Sequence, residues 1–379
     1  MNITESFIVL SFAAALIGCS NSNNNAAEQA EQKNPAKETS WHIEKHCDMP
    51  DIESGYGQGV SACYAATTDD ALYIAGGCNF PDTPAAEGGA KVYYKGIYRM
   101  KTDGNSAWEK TGELPWASAY GVTLQHGDKW YIIGGMNSTG ATNTAYCIDL
   151  ESNGITTLPA LPCTIDNAAG AISGTTIYVT GGNADGQASN RTFALEIGGK
   201  EWKELPSMPS PARVQPVCAA TDKHLYVWGG FTPGTAEMAA VHTDGVRYSF
   251  SSGNWEKLGN ITADGDTITL SGGFAIAACG NSIIAAGGVD KKIFFDAMTG
   301  TYSLTSKEEY MHYPAEWYKF NSRLMQYDTE KGQWNIIADD RCFSRAGAVL
   351  VKQGEKIFQI GGELKPGIRT PGIFTITEK

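Results

Sequence analysis

A chain of 379 residues, 42% of them hydrophobic and 44 of them Gly, has enough apolar material for a large core and enough glycine for many turns. Its 41 Asp and Glu outweigh 29 Lys and Arg, and no basic stripe runs along it, which argues against a nucleic-acid partner.

The chain opens on an apolar run, Phe7 to Ile17, too short to cross a bilayer as a helix and of the length of a signal-peptide core. It ends in Leu16-Ile17-Gly18-Cys19, which resembles a bacterial lipobox. That resemblance implies a signal peptide over residues 1–18 and an acylated Cys19. Residues 19–39, rich in Asn, Ala, Glu and Gln, read as a flexible tether. The expectation is an exported lipoprotein, on the periplasmic side of the outer membrane or at the cell surface, which touches the membrane through its lipid alone. None of the remaining cysteines forms C-x-x-C or a Cys/His metal spacing.

Beyond the tether the chain repeats. Six apolar runs close on a Gly pair: ALYIAGG to Gly77, KWYIIGG to Gly135, TIYVTGG to Gly182, HLYVWGG to Gly230, SIIAAGG to Gly288 and KIFQIGG to Gly362. After most of them come a loop, a short alternating strand and a Trp-led strand such as AWEKTGELP, EWKELPSMP or NWEKLG. Period-2 alternation predicts strands, and a Gly pair lets a strand end turn with positive φ. This resembles the kelch motif, which implies an all-β, six-bladed kelch-type β-propeller over residues 40–379. The sixth repeat stops without its Trp strand, whereas SWHIEKHCDMP at residues 40–50 has that form. Residues 40–46 are therefore expected to complete blade six and remove an exposed edge.

If the four strands of each blade run outward from a to d, the segments after every Gly pair share one face with the connections that follow each Trp strand. That face gathers Asn79, Phe80, Glu87, Lys91, Asn137, Asn183 and the Glu363–Arg369 loop, together with Tyr120, Asp166, Asn167, Arg213 and Arg345. Long loops on a rigid scaffold tend to carry function. Blade five adds an aromatic-rich insertion between Gly288 and Arg323 that includes His312, Tyr313 and Trp317. It reads either as a surface for stacking on a sugar ring or as a small helical cap with its own core.

GGELKPGIRT at 361–370 resembles a segment of the N-acetylneuraminate epimerases, bacterial sialic acid mutarotases built as six-bladed kelch propellers. The stretches GGCNFPDTPAAEGGAKVYYKGIY (76–98), LPWASAYGV (114–122) and HYPAEWYKFNSRLMQYD (312–328) also resemble that family. Their order is cyclically permuted relative to better-known members. The resemblance implies interconversion of α- and β-N-acetylneuraminate without a cofactor or metal, with Glu363 and Arg369 as catalytic residues. Glu363 would serve as acid/base, and Arg369 would hold the substrate carboxylate or steady the oxyanion. Arg213 and Arg345 are candidate anion anchors, and Asn79, Tyr120, Asn167 and His312 are further candidate substrate contacts. Relatives often carry Arg where this chain has Ser118. If that Arg touches the substrate acid in relatives, this chain has lost a contact or takes another sugar acid. A non-enzymatic kelch module that binds glycan or protein is a second alternative. A copper oxidase on a related propeller is a third, although no compelling His pair stands in the sequence.

Overall fold

The computed structural model describes residues 40–103, 106–278 and 281–379. The signal segment, Cys19 and the tether lie outside the described residues. The described chain is a β-propeller of six sheets, each built on four antiparallel strands. In blade one they are Tyr64–Thr67, Ala71–Ala75, Gly96–Lys101 and Glu109–Glu113, from the axis outward. The innermost strands of the other blades are Val122–His126, Ala169–Ser173, Val214–Ala220, Phe274–Ala277 and Val349–Gln353. Blade four carries a small extra strand, Ala240–Val241.

The second strand of each blade is apolar because the neighbouring blades cover both of its sides. In blade one all of Ala71–Ala75 is buried. The glycines that end these strands have a specific reason. At the first of the pair a Cβ would meet the next blade's carbonyl at 2.6 Å (Gly76 on Ser118), 2.4 Å (Gly134 on Ile165) and 2.5 Å (Gly361 on Val60). The second glycine then donates its N–H across the blade junction, from Gly77 to Ser118 at 2.9 Å, from Gly135 to Ile165 at 2.8 Å and from Gly362 to Val60 at 2.9 Å. The Trp-led outer strands make a parallel staple. Trp108, Trp202 and Trp255 donate their indole N–H to the carbonyls of Asp48, Pro159 and Pro206 in the blade before.

Blade six is completed from both ends of the propeller sequence. Its strands Val349–Gln353, Lys356–Ile360 and Gly372–Glu378 are joined by Trp41–Asp48, paired from Trp41↔Glu378 to Asp48↔Gly372 with a bulge between Lys45 and Cys47. The last blade is closed by an N-terminal strand, somewhat longer than residues 40–46.

A ring of six backbone hydrogen bonds closes the centre. Ala62, Tyr120, Asn167, Gln215, Gly272 and Gly347, one from each blade entrance, all have left-handed φ between 50° and 70°. Each donates its N–H to its neighbour's carbonyl: 120 to 62, 167 to 120, 215 to 167, 272 to 215, 347 to 272 and 62 to 347, at 2.7–3.2 Å. The left-handed turn aims each amide along the ring instead of into its own strand. Below it the six inner strands enclose an axial cavity of about 610 Å³ that reaches the a–b turns at Thr68, Asp69, Gly127 and Asp128.

The blade-five insertion is a cap with its own aromatic core. Its helix, Lys291–Thr299, starts on the Asp290 carboxylate, which accepts from the Ile293 N–H, and stops at left-handed Gly300. Tyr313 and Trp317 stack at 4.3 Å, and Tyr310 and Tyr318 meet edge-on at 5.5 Å.

Candidate active site

Immediately after each Gly pair the chain pairs back with a blade entrance, as in Cys78 with Ser61, Met136 with Ala119, Asn183 with Asp166, Phe231 with Val214 and Glu363 with Ala346. Val289 takes this place in blade five through its N–H bond to the Ser271 carbonyl. Among these six equivalent positions Glu363 is the only carboxylate. It heads a short hairpin, Glu363–Lys365 with Ile368–Arg369, in which Glu363 and Arg369 are cross-strand partners. Gly367 turns the hairpin at φ 83°. A Cβ there would lie 2.6 Å from Ala85 in the blade-one loop, so the loops of blades six and one are in contact. Lys365 fastens the hairpin to the insertion by donating to the carbonyls of Met311 at 3.3 Å and Tyr313 at 2.6 Å.

Glu363 and Arg369 form an ion pair whose side chains are 24% and 4% exposed. Nη1 of Arg369 carries that pair, and its buried Nε has no hydrogen-bond partner. Its guanidinium lies over the Phe80 ring at 5.4 Å. From the matching blade-one hairpin, where Cys78–Asn79 pairs with Val92–Tyr93, Lys91 reaches the same place. Its ammonium sits 5.8 Å from the centre of Phe80 and 5.1 Å from that of Tyr120. Lys91 and Cys78 both donate to the Tyr120 phenol oxygen, at 3.2 Å and 3.5 Å, which leaves the phenol hydrogen free to donate elsewhere. Burial pushes the Glu363 carboxyl above its ordinary value, against the opposing pull of Arg369 and Lys91. Burial likewise pushes the Tyr120 phenol well up, so it stays a neutral donor.

The structure brings Glu363, Arg369 and Tyr120 together, and it takes the other candidates elsewhere. Arg213 is fully buried, and its donors are spent on Ser210 Oγ, the carbonyls of Gly229 and Asp244, and Asp244 Oδ1. Arg345 holds the equivalent place in blade six. Its Nη1 donates to the carbonyls of Gly361 and Gly372, and burial lowers its pKa to about 10. Both arginines tie strands within their blades and do not reach Glu363. Asn79 is also internal: its amide donates to the carbonyls of Gly55 and Gly59, and its oxygen accepts from Tyr94. Asn167 is a ring residue whose side chain joins Asp166 and Gln215. His312 is exposed on the insertion.

Ser118 occupies, in blade two, the place that Arg213 and Arg345 hold in theirs, two residues before the ring. Its hydroxyl bonds the buried Tyr64 phenol, and a Cβ on Gly135 would lie 2.7 Å from both groups. The two arginines found at this place tie strands in blades four and six. Lys91, Cys78 and Phe80 complete the site. Their sequence signal was position alone, the turn after the first Gly pair.

A family model described as N-acetylneuraminate epimerase matches residues 23–156 and 158–378. An N-acetylneuraminate epimerase of Escherichia coli O1:K1 is 30% identical over 251 residues, 64% of this chain and 66% of that protein. One from Haemophilus influenzae strain PittEE is 31% identical over 242 residues, 60% and 63% of the two chains. The aligned part thus spans just under two thirds of these relatives' length. A solved structure described as "Structure of YjhT" superposes with a TM-score of 0.62 at 15% identity, covering 88% of this chain and 99% of that one, which supports the propeller fold.

Proposed function

The chain belongs to the N-acetylneuraminate epimerase family, and from that premise we propose that it interconverts the α and β anomers of N-acetylneuraminate by acid/base-catalysed ring opening and closure. Two proton movements suffice. The anomeric hydroxyl gives its proton to the Glu363 carboxylate as the bond between the anomeric carbon and the ring oxygen breaks. The ring oxygen then takes that proton from the Glu363 carboxyl and becomes a hydroxyl, leaving an open-chain ketone and restoring the carboxylate. Rotation about the adjacent C–C bond and the reverse transfers close the ring on the other face.

The observation that carries this reading is the largely buried Glu363–Arg369 pair, whose guanidinium keeps its Nε without an acceptor beside a phenol free to donate. A carboxyl raised by burial is better matched to proton exchange near neutral pH than an ordinary one, and such a positioned group is worth roughly 10²–10⁴-fold in rate. Tyr120 supplies a neutral hydrogen bond to the departing or returning oxygen. Because the Ser118 position serves the scaffold, the substitution there gives no reason to prefer another sugar acid. The test is NMR of freshly released α-N-acetylneuraminate. The protein should speed the appearance of the β anomer, and Glu363→Gln should lower that acceleration by about 10²-fold or more. An unchanged rate with folded wild-type protein overturns the proposal.

A further inference from the structure

The charges around Glu363 do not balance. One carboxylate faces two cations, Arg369 and Lys91, and Lys365 is turned away onto the carbonyls of Met311 and Tyr313. Lys91 has no carboxylate within ion-pair distance among the described residues, and the acceptor found for its ammonium is the Tyr120 phenol at 3.2 Å. Arg369, though 4% exposed and paired with Glu363 through Nη1, leaves Nε without an acceptor. Two aromatic faces, Phe80 and Tyr120, hold the ammonium in place. Buried donors without partners are costly, and the arrangement is complementary to one further negative charge set between the two cations.

We infer that Lys91 and Arg369 together form a cradle for the substrate carboxylate, with Lys91 as the residue that selects monoanionic sugar acids over neutral sugars. This rests on the anomerisation reading and assigns the division of labour within it. With its charge held by Lys91 and Arg369, the acid presents its anomeric centre to Glu363, which is left to move protons. Lys91 reaches the site from blade one and Glu363 from blade six, so selectivity and proton transfer come from opposite sides of the junction where the propeller closes.

The experiment is calorimetric binding of 2,3-didehydro-2-deoxy-N-acetylneuraminic acid, a ring that cannot anomerise, and of its C1 methyl ester. The wild type is expected to bind the acid at least tenfold more tightly than the ester. Lys91→Gln should weaken the acid by roughly 10- to 100-fold and leave the ester unchanged, while Lys91→Arg should restore most of the difference. In turnover, Lys91→Gln should raise KM with little change in kcat. Equal binding of acid and ester by the wild type, or of the acid by wild type and Lys91→Gln, overturns the inference. If acid binding depends on Lys91 but no anomerisation is seen, the carboxylate cradle stands and the proposed reaction falls.

Discussion

Arg213 and Arg369 are both arginines at the loop face of the propeller, both almost completely buried, and they have opposite surroundings. Arg213 gives Nε, Nη1 and Nη2 to a hydroxyl, two backbone carbonyls and a carboxylate. Arg369 faces one carboxylate through Nη1 and an aromatic ring, with its buried Nε left over. The first is a closed account of donors and acceptors, the second an open one. Burial of a guanidinium therefore says little about function. An unanswered donor alone does not mark a binding group, since scaffold Arg345 also leaves its buried Nε without a partner; Arg369 combines one with a facing carboxylate and a second cation, Lys91.

The widest separation between the two should come from neutralising each in turn. Arg369→Gln is expected to lower kcat/KM by about 10²-fold or more, because it removes a cation from the reacting centre, while the protein keeps a cooperative melt. Arg213→Gln should do the reverse. It strands the carbonyls of Gly229 and Asp244 inside blade four, at a cost of about 3 kcal/mol in urea denaturation, and KM of the folded fraction should move little. A stable Arg213→Gln protein with a large rise in KM would return Arg213 to the substrate site.

The same contrast explains what could be read before the fold was known. Gly pairs, Trp-led strands and the missing sixth Trp strand are local patterns with local causes, such as a carbonyl 2.4–2.6 Å from where a Cβ would stand. They predict six blades and a closure between the chain ends, and the pairing of Trp41–Asp48 with Gly372–Glu378 is that closure. Glu363 and Arg369 were legible as well, because hairpin register makes them neighbours. Arg213, Arg345 and Asn79 share the correct face but turn inward, and face membership does not fix the direction of a side chain. Nor could the sequence show that Tyr64 meets the Ser118 hydroxyl across a blade junction. Lys91 was visible as a loop residue, but its partner Tyr120 belongs to another blade.

A smaller effect tests the electrostatics of the open account. Burial raises the Glu363 carboxyl above 4.5, while Arg369 and Lys91 pull it down. The ionised form is the base, so kcat/KM should fall as pH drops through a value above 4.5. Lys91→Gln removes one of the lowering cations and should therefore move this acid limb to higher pH. A pH–rate profile of both proteins reads the sign directly. A shift to lower pH would mean that Lys91 does not act on Glu363 through its charge.

The smallest effect is expected at His312. It lies on the same insertion as Tyr310 and Tyr318, whose rings pack beside the hairpin and feel the charge of Glu363. Its own side chain is exposed, whereas the hairpin is joined to that stretch through the backbone carbonyls of Met311 and Tyr313. Replacing an exposed side chain leaves those carbonyls and the aromatic core in place, and such changes usually stay within about 0.5 kcal/mol. His312→Ala should accordingly change kcat/KM by less than about twofold, since a tenfold change corresponds to about 1.4 kcal/mol. A larger loss confined to KM would mean that the insertion folds over the bound sugar and that His312 belongs to the open account after all.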